Sequence, residues 1–105
     1  MNTSDEIESV AAAIETLLHA NRLAVANTSM PARIKFLAAR LSSCDHDAAE
    51  KAYEIASLAS IFYSARKHMT YPGGSERLWA QMTFELLGRI RGRARSRAAS
   101  NETDA

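Results

Sequence analysis

A chain of 105 residues has room for one domain, and its single cysteine excludes an intrachain disulfide. Alanine and leucine dominate its apolar residues, which favours helix over sheet. The formal net charge of +1 hides an uneven distribution: residues 1–27 hold four acids against one arginine, whereas residues 70–97 hold six arginines against two glutamates. The acidic N-terminus and the lack of a long apolar run argue against a secretory signal and a membrane span, so we expect a cytoplasmic protein.

Helix one is predicted from about Asp5 to Ala26. The residues of its core-facing side recur at three- and four-residue spacing; they are Ile7, Val10, Ala11, Ile14, Leu17, Leu18, Asn21 and Val25. Asn27 is expected to cap its C-terminus, since asparagine tolerates the left-handed conformation. The polar Asn21 either sets the register of a helix pair or marks the point where the helix leaves the core.

Helix two is predicted to be short, from about Pro31 to Ser42. Ser29 is expected to cap it, and proline is tolerated in a first turn because its missing N–H has no helical partner there. Its apolar side comprises Ile34, Leu37, Ala38 and Leu41.

Helix three is predicted to begin near Asp45 or Asp47, since Asp47 followed by Glu50 resembles a capping box. We expect it to run to about Met69, with basic residues in its last turn that favour the helix dipole, namely Arg66, Lys67 and His68. Its expected buried residues are Ala48, Ala52, Ile55, Ala56, Ala59, Phe62 and Tyr63.

Residues 71–74, Tyr-Pro-Gly-Gly, form the strongest break in the chain, and Ser75 is expected to cap helix four after it. The core-facing residues of helix four are Leu78, Trp79, Met82, Leu86 and Ile90. Beyond Ile90 the apolar periodicity fails, and residues 98–105 have the composition of a disordered polar end.

These elements predict an all-α fold, a small four-helix bundle with three long helices and one short. The bundle domain is predicted to occupy residues 1–91, and residues 92–105 to form a flexible tail that contains arginines.

No residue pattern indicates catalysis. The histidines, His19, His46 and His68, lie on separate segments without zinc-ligand spacing. Cys44 has no local nucleophile signature, and residues 44–47 have the composition of an interhelical turn with capping aspartates. Gly73 and Gly74 lack a Walker lysine. We therefore expect no enzyme, no metal and no cofactor.

The turn between helices two and three resembles that of a helix-turn-helix only in its shortness. The start of helix three carries Asp45, Asp47 and Glu50, and DNA phosphates would repel these carboxylates. Helix three is also longer than a typical recognition helix. The sequence therefore argues against a helix-turn-helix.

Five arginines occupy alternate positions near the C-terminus; they are Arg89, Arg91, Arg93, Arg95 and Arg97. Alternate positions of a helix lie about 200° apart, so these charges would surround the helix instead of forming one stripe. Such a segment suits nucleic-acid phosphates or an acidic protein, without sequence readout. It equally suits a solvated helix end whose charges favour the dipole and solubility.

Several large apolar residues lie off the core-facing side of their own helix, among them Phe36, Ile61 and Phe84. On helix four a second side follows the spacing i, i+4, i+7, i+11, and it comprises Ala80, Phe84, Leu87 and Arg91. A helix of a small bundle usually buries one side only, so a second apolar side indicates a partner, unless helix four is buried on both sides.

The leading hypothesis from the sequence is a regulator, inhibitor or adaptor that binds another protein through these six residues, a surface that could also serve a homodimer. The alternative is a nucleic-acid-binding accessory protein that uses the five arginines. A basic amphipathic helix on a membrane surface, with Trp79 and Phe84 as its apolar residues, is a third and weaker alternative.

Overall fold

The computed structural model describes residues 2–23, 27–64 and 70–104, with side chains as far as residue 99. In these ranges the fold is all-α, as predicted, and no strand is present. The helices are α1 (Thr3–Ala20), α2 (Met30–Leu41), α3 (His46–Phe62), α4 (Gly74–Ala80) and α5 (Leu87–Asp104). A π-helical turn, Gln81–Leu86, joins α4 to α5 without a break, and we call this continuous rod the C-terminal helix. The predicted count of four helices, one of them short, is therefore confirmed.

Helix α1 begins after Asn2, whose side chain accepts a hydrogen bond from the backbone N–H of Asp5 at 2.9 Å. It ends at Ala20, earlier than predicted, because the Asn21 side chain donates to the carbonyl oxygen of Leu17 at 2.8 Å and caps the helix. The predicted cap, Asn27, instead precedes α2 and accepts hydrogen bonds from the backbone and hydroxyl of Ser29. Val25, expected on the core-facing side, lies outside the described residues.

Helix α3 begins one residue after Asp45, which caps it by accepting a hydrogen bond from the N–H of Ala48 at 2.9 Å. The capping box proposed at Asp47 is therefore wrong. The helix ends at Phe62, with Tyr63 as its C-cap, so it is shorter than predicted. The expected basic last turn, Arg66 to His68, lies outside the described residues.

The C-terminal helix begins at Gly74, with Gly73 as its N-cap, and both glycines have a positive φ, 89° at Gly73 and 70° at Gly74. A Cβ atom on Gly73 would lie 2.5 Å from Cδ of Arg77, so only glycine fits there. Ser75 lies inside the helix and is not its N-cap, which corrects the sequence prediction.

Packing places α2 and the C-terminal helix on opposite sides of the bundle, because each packs against both α1 and α3. The predicted core-facing residues of the C-terminal helix are all buried. Helix α3 faces the core mainly with alanines, which allow α2 to approach it closely. The largest fully buried side chains include Ile7, Ile14, Leu18, Met30, Ile34, Leu41, Ile55, Met82 and Ile90.

Residues 92–97, predicted as the start of a flexible tail, continue helix α5 and are held against the bundle. Ala94 is only 2 % exposed, and its carbonyl oxygen accepts a hydrogen bond from the hydroxyl of Ser4 at 2.9 Å. The apolar periodicity does continue one turn past Ile90, but through a small alanine that is easily overlooked among the arginines.

Candidate functional site

An open apolar groove of about 850 Å³ separates α1 from α2, and we call it the α1–α2 groove. Its lining consists mainly of small or apolar side chains: Ala12, Ala13, Thr16, Leu17, Ala20, Asn21, Ala32, Arg33, Phe36 and Leu37. Helices α1 and α2 run antiparallel, since Arg40 near the end of α2 binds Glu6 near the start of α1 at 2.9 Å. The groove exists because alanines on both helices leave the space between them unfilled.

Phe36 is the most conspicuous residue of the groove, with 74 % of its surface exposed. Its helix buries the opposite side, through Ile34 and Ala38, so no rotation of α2 as a whole can bury the ring as well. Isolated exposed apolar residues are common on protein surfaces. An exposed aromatic ring that borders an apolar groove is different, because such contiguous patches mark interaction sites.

Arg33 brings positive charge to the lining of the groove, at the end that Asn21 also lines. Beyond the other end, the carboxylate of Glu6 accepts two hydrogen bonds from Arg40, at 2.9 and 3.2 Å, and offsets its charge. The groove is therefore apolar along its length and cationic at one end. This combination suits an apolar ligand that carries a carboxylate near one end.

The six residues proposed from the sequence as one contact surface do not come together. Phe36 lies on α2, whereas Phe84 is 78 % exposed on the C-terminal helix, on the opposite side of the bundle. Ile61 and Ala80 are half-buried, and Ile61 belongs to a third helix, α3. The six residues are therefore spread over three helices and do not form one patch.

Leu87, expected on an exposed second side of the helix, is completely buried. The reason is the π-helical turn, in which the backbone N–H of Leu87 donates to the carbonyl oxygen of Met82, five residues earlier. A π-turn accommodates one more residue than an α-helical turn and so rotates every later side chain. The α-helical spacing applied to the sequence therefore placed Leu87 on the wrong side.

Arg91, the last of the six, joins the C-terminal helix to α1. Its guanidinium lies 2.9 Å from a carboxylate oxygen of Glu15 and 3.2 Å from one of Glu8. The hydrogen bond from Arg91 holds the pKa of Glu15 below its usual range, and the same bond raises the pKa of Arg91. The sequence could not show these pairs, since the partners lie more than seventy residues apart.

Arg93 and Arg97 both bind Asp45, the N-cap of α3. The side-chain nitrogens lie 2.9 Å and 2.8 Å from the same carboxylate oxygen, and Asp45 is 2 % exposed. Burial opposes ionisation of Asp45, but the hydrogen bonds from Arg93, the N–H of Ala48 and Arg97 outweigh it and hold its pKa well below the usual range. Three of the five arginines thus bind carboxylates of the same molecule.

Arg89 and Arg95 are exposed, and within the described side chains no ion pair involves them. Trp79, considered above as a membrane contact, is buried beside Phe62 and His19, with the guanidinium of Arg22 5.0 Å from its ring centre. The Cys44 sulfur lies 3.6 Å from the carbonyl oxygen of Arg40, within α2 and the turn that follows it. Among the described residues, no cluster of three histidine, cysteine or carboxylate side chains could hold a metal ion.

No family model, curated protein or solved structure matches this chain. None of the helices in the described ranges combines the length and apolarity that a bilayer crossing requires.

Proposed function

We propose that this protein is a protein-binding module that receives an amphipathic helix of a partner protein in the α1–α2 groove. The observation that carries the proposal is the exposed Phe36 beside an apolar groove of about 850 Å³. A regulator or adaptor needs such a surface, because its activity is the binding itself. Any catalytic role would require a cluster of reactive groups in the groove, and among the described lining residues the one ionisable side chain is that of Arg33.

A helix is the ligand that best fits this shape. The lining residues of α1 and its C-cap run from Ala12 to Asn21, a length of about 14 Å at 1.5 Å per residue, or about two and a half helical turns. A helix laid along two antiparallel helices buries apolar residues at positions i, i+3 or i+4, and i+7. The alanines of the groove allow its backbone to approach, and Phe36 provides one wall.

Charge narrows the class of helix further. Arg33 is a fork of five N–H donors that matches a carboxylate in two parallel hydrogen bonds. We therefore expect an aspartate or glutamate beside the apolar side of the partner helix, near one end. A basic helix would place like charges together and lose affinity.

Nucleic-acid binding through the arginine segment is the weaker proposal. Phosphates would have to compete with the carboxylates that already bind Arg91, Arg93 and Arg97. Only Arg89 and Arg95 could bind phosphate without breaking an ion pair seen among the described side chains, and both are exposed. Two phosphate contacts give a weak, salt-sensitive interaction.

The test begins with a photo-crosslinking amino acid, benzoylphenylalanine, placed at Phe36 in cells that naturally express the protein. We expect a covalent adduct with a different protein, through an acidic amphipathic helix. The matched control places the same group at Phe84, which is equally exposed but lies on the opposite side of the bundle. Only the Phe36 position should yield this adduct.

The purified partner then allows calorimetric measurement of the dissociation constant. Phe36→Ser should weaken binding by about 30-fold or more, as expected of an aromatic anchor, whereas Phe84→Ser should not change it. Arg33→Glu should also weaken binding, and Lys35→Glu, an exposed change on the same helix outside the groove, should have little effect. Undiminished binding by the Phe36→Ser protein would refute the proposal.

A further inference from the structure

The exposed side of the C-terminal helix carries one large apolar residue and two glycines. Phe84, Gly88 and Gly92 follow at four-residue spacing; Phe84 lies in the π-helical turn, and the two glycines lie in α5 directly after it. Phe84 is 78 % exposed, and Gly88 is exposed too. The core-facing residues of the same stretch, Leu86 and Ile90, lie on the other side.

Nothing among the described residues requires glycine at these two positions. Among the described residues only Gly73 and Gly74 have positive φ, so Gly88 and Gly92 have ordinary backbone geometry. A Cβ atom on Gly88 would meet no atom within 4 Å, and one on Gly92 would meet only the end of the flexible Arg95 side chain at 3.8 Å. Glycine is the least favourable residue after proline in a helix interior, so these two weaken the helix without a benefit to the packing of the described residues.

We propose that two copies of this chain pair through this surface, with their C-terminal helices antiparallel and crossing at Gly88. With a two-fold axis through Gly88, a residue a given number of positions before Gly88 lies opposite the residue of the second copy that is the same number of positions after it. Phe84, four residues before Gly88, then lies opposite Gly92 of the second copy, four residues after it. The Phe84 ring fills the space left by the absent side chain of Gly92, and the two-fold axis creates this contact twice in the dimer.

Charge favours the antiparallel arrangement. The first half of the C-terminal helix carries two glutamates and one arginine (Glu76, Glu85 and Arg77), and the second half carries the five arginines. Antiparallel pairing brings Glu85 of one copy toward the arginine segment of the other, in which the exposed Arg89 has no ion pair among the described side chains. Parallel pairing would place the two arginine segments side by side, and their like charges would repel each other. The surface is thus complementary to itself, which is the condition for a closed two-fold dimer.

This inference is independent of the α1–α2 groove, because none of the groove's lining residues lies on the C-terminal helix. A dimer formed through Phe84 leaves both grooves open. Each proposal therefore stands or fails on separate variants.

Light scattering over a concentration series of the full-length protein tests the pairing. We expect the mass of a dimer, dissociating on dilution. Gly92→Leu should weaken association by about 30-fold or more, since it fills the space for Phe84, while raising the melting temperature of the monomer because leucine favours helix. Phe84→Ser should weaken association similarly, and Phe36→Ser, the matched change in the groove, should not.

A cysteine at the crossing point gives a second measurement. In a Cys44→Ser background, Gly88→Cys should form a disulfide-linked dimer under mild oxidation, because two residues on the axis face each other. Lys35→Cys, an exposed position on α2, should remain monomeric. A wild-type mass that stays monomeric up to about 1 mM, a concentration at which even a weak specific contact is populated, would overturn the proposal. So would a Gly88→Cys protein that crosslinks no faster than Lys35→Cys.

Discussion

Asp45 has two structural roles in one buried side chain. It caps α3 through the N–H of Ala48 and binds Arg93 and Arg97 of the C-terminal helix. Both kinds of hydrogen bond use the carboxylate oxygens as acceptors, and the ion pairs with the two arginines also require the negative charge. Removing the charge therefore leaves two guanidinium groups without their shared partner, although both are partly exposed and recover some hydration.

We predict that Asp45→Asn lowers the free energy of unfolding by about 2 kcal/mol at pH 7, because asparagine still caps a helix but does not pair with arginine. The pKa of Asp45 is lowered in the folded state, so its contribution is complete above the unfolded pKa of about 3.9 and is lost as the pH falls toward the lower folded pKa. Urea unfolding should show a constant difference between wild type and variant from pH 5 to 8, shrinking below about pH 4. The exposed Asp47→Asn should change stability by less than about 0.5 kcal/mol.

At the scale of the element, the π-helical turn decides which side chains the C-terminal helix buries. It brings Leu86 and Leu87, which are adjacent in sequence, into the core together. An α-helical turn of the same length would have left one of them at the edge. The exposed ring of Phe84 lies within this turn, so the irregularity also shapes the surface proposed for pairing.

Deletion of Phe84 should convert the π-turn into an ordinary α-helical turn, because Leu87 then follows Met82 by four residues instead of five. The later residues keep their orientation, so we expect a cooperative thermal melt with a loss below about 2 kcal/mol, measured by circular dichroism. Deletion of the exposed Ser57 from α3, which is α-helical throughout, rotates all later residues of that helix by about 100°. That protein should not fold. An unfolded Phe84 deletion would contradict this account of the turn.

At the scale of the whole molecule, the sequence predicts which residues of each helix are buried but not the individual side-chain contacts. The spacing of Leu78, Met82 and Ile90 predicts burial correctly, since periodicity is a local property of one helix. The end of α1 at Ala20 was missed because it depends on one side-chain hydrogen bond from Asn21.

The α1–α2 groove was missed for a different reason. The sequence pattern of alanines on one helix is the same whether or not a second helix covers them. Only the distance between α1 and α2 in the structure shows that the groove between them is open. The pairing of Asp45 with Arg93 likewise joins residues 48 positions apart, and nothing in either local sequence indicates it.

The C-terminal arginine segment belongs to the folded bundle, so its removal should be costly. Deletion of residues 92–105 removes the buried Ala94 and both guanidinium groups that bind Asp45. We expect a loss of at least about 3 kcal/mol in the free energy of unfolding, because a buried carboxylate is left uncompensated.

A double-mutant cycle separates the causes of this loss. The same deletion in an Asp45→Ala background should cost at least about 1 kcal/mol less, since the carboxylate is no longer present to be left unpaired. Equal costs in the two backgrounds would show that the ion pairs contribute nothing. A deletion with a wild-type melt would restore the view of this segment as an independent tail.

The position of α2 opposite the C-terminal helix has a consequence for valency. If two copies pair through their C-terminal helices, the two α1–α2 grooves point outward on opposite sides of the dimer. One dimer then engages a partner that carries two helical segments, provided that the linker between them spans the dimer. The second segment binds at an effective concentration on the order of millimolar, so a pair of weak contacts becomes a durable one. Such a dimer would favour repetitive or multimeric targets over single helices of equal affinity.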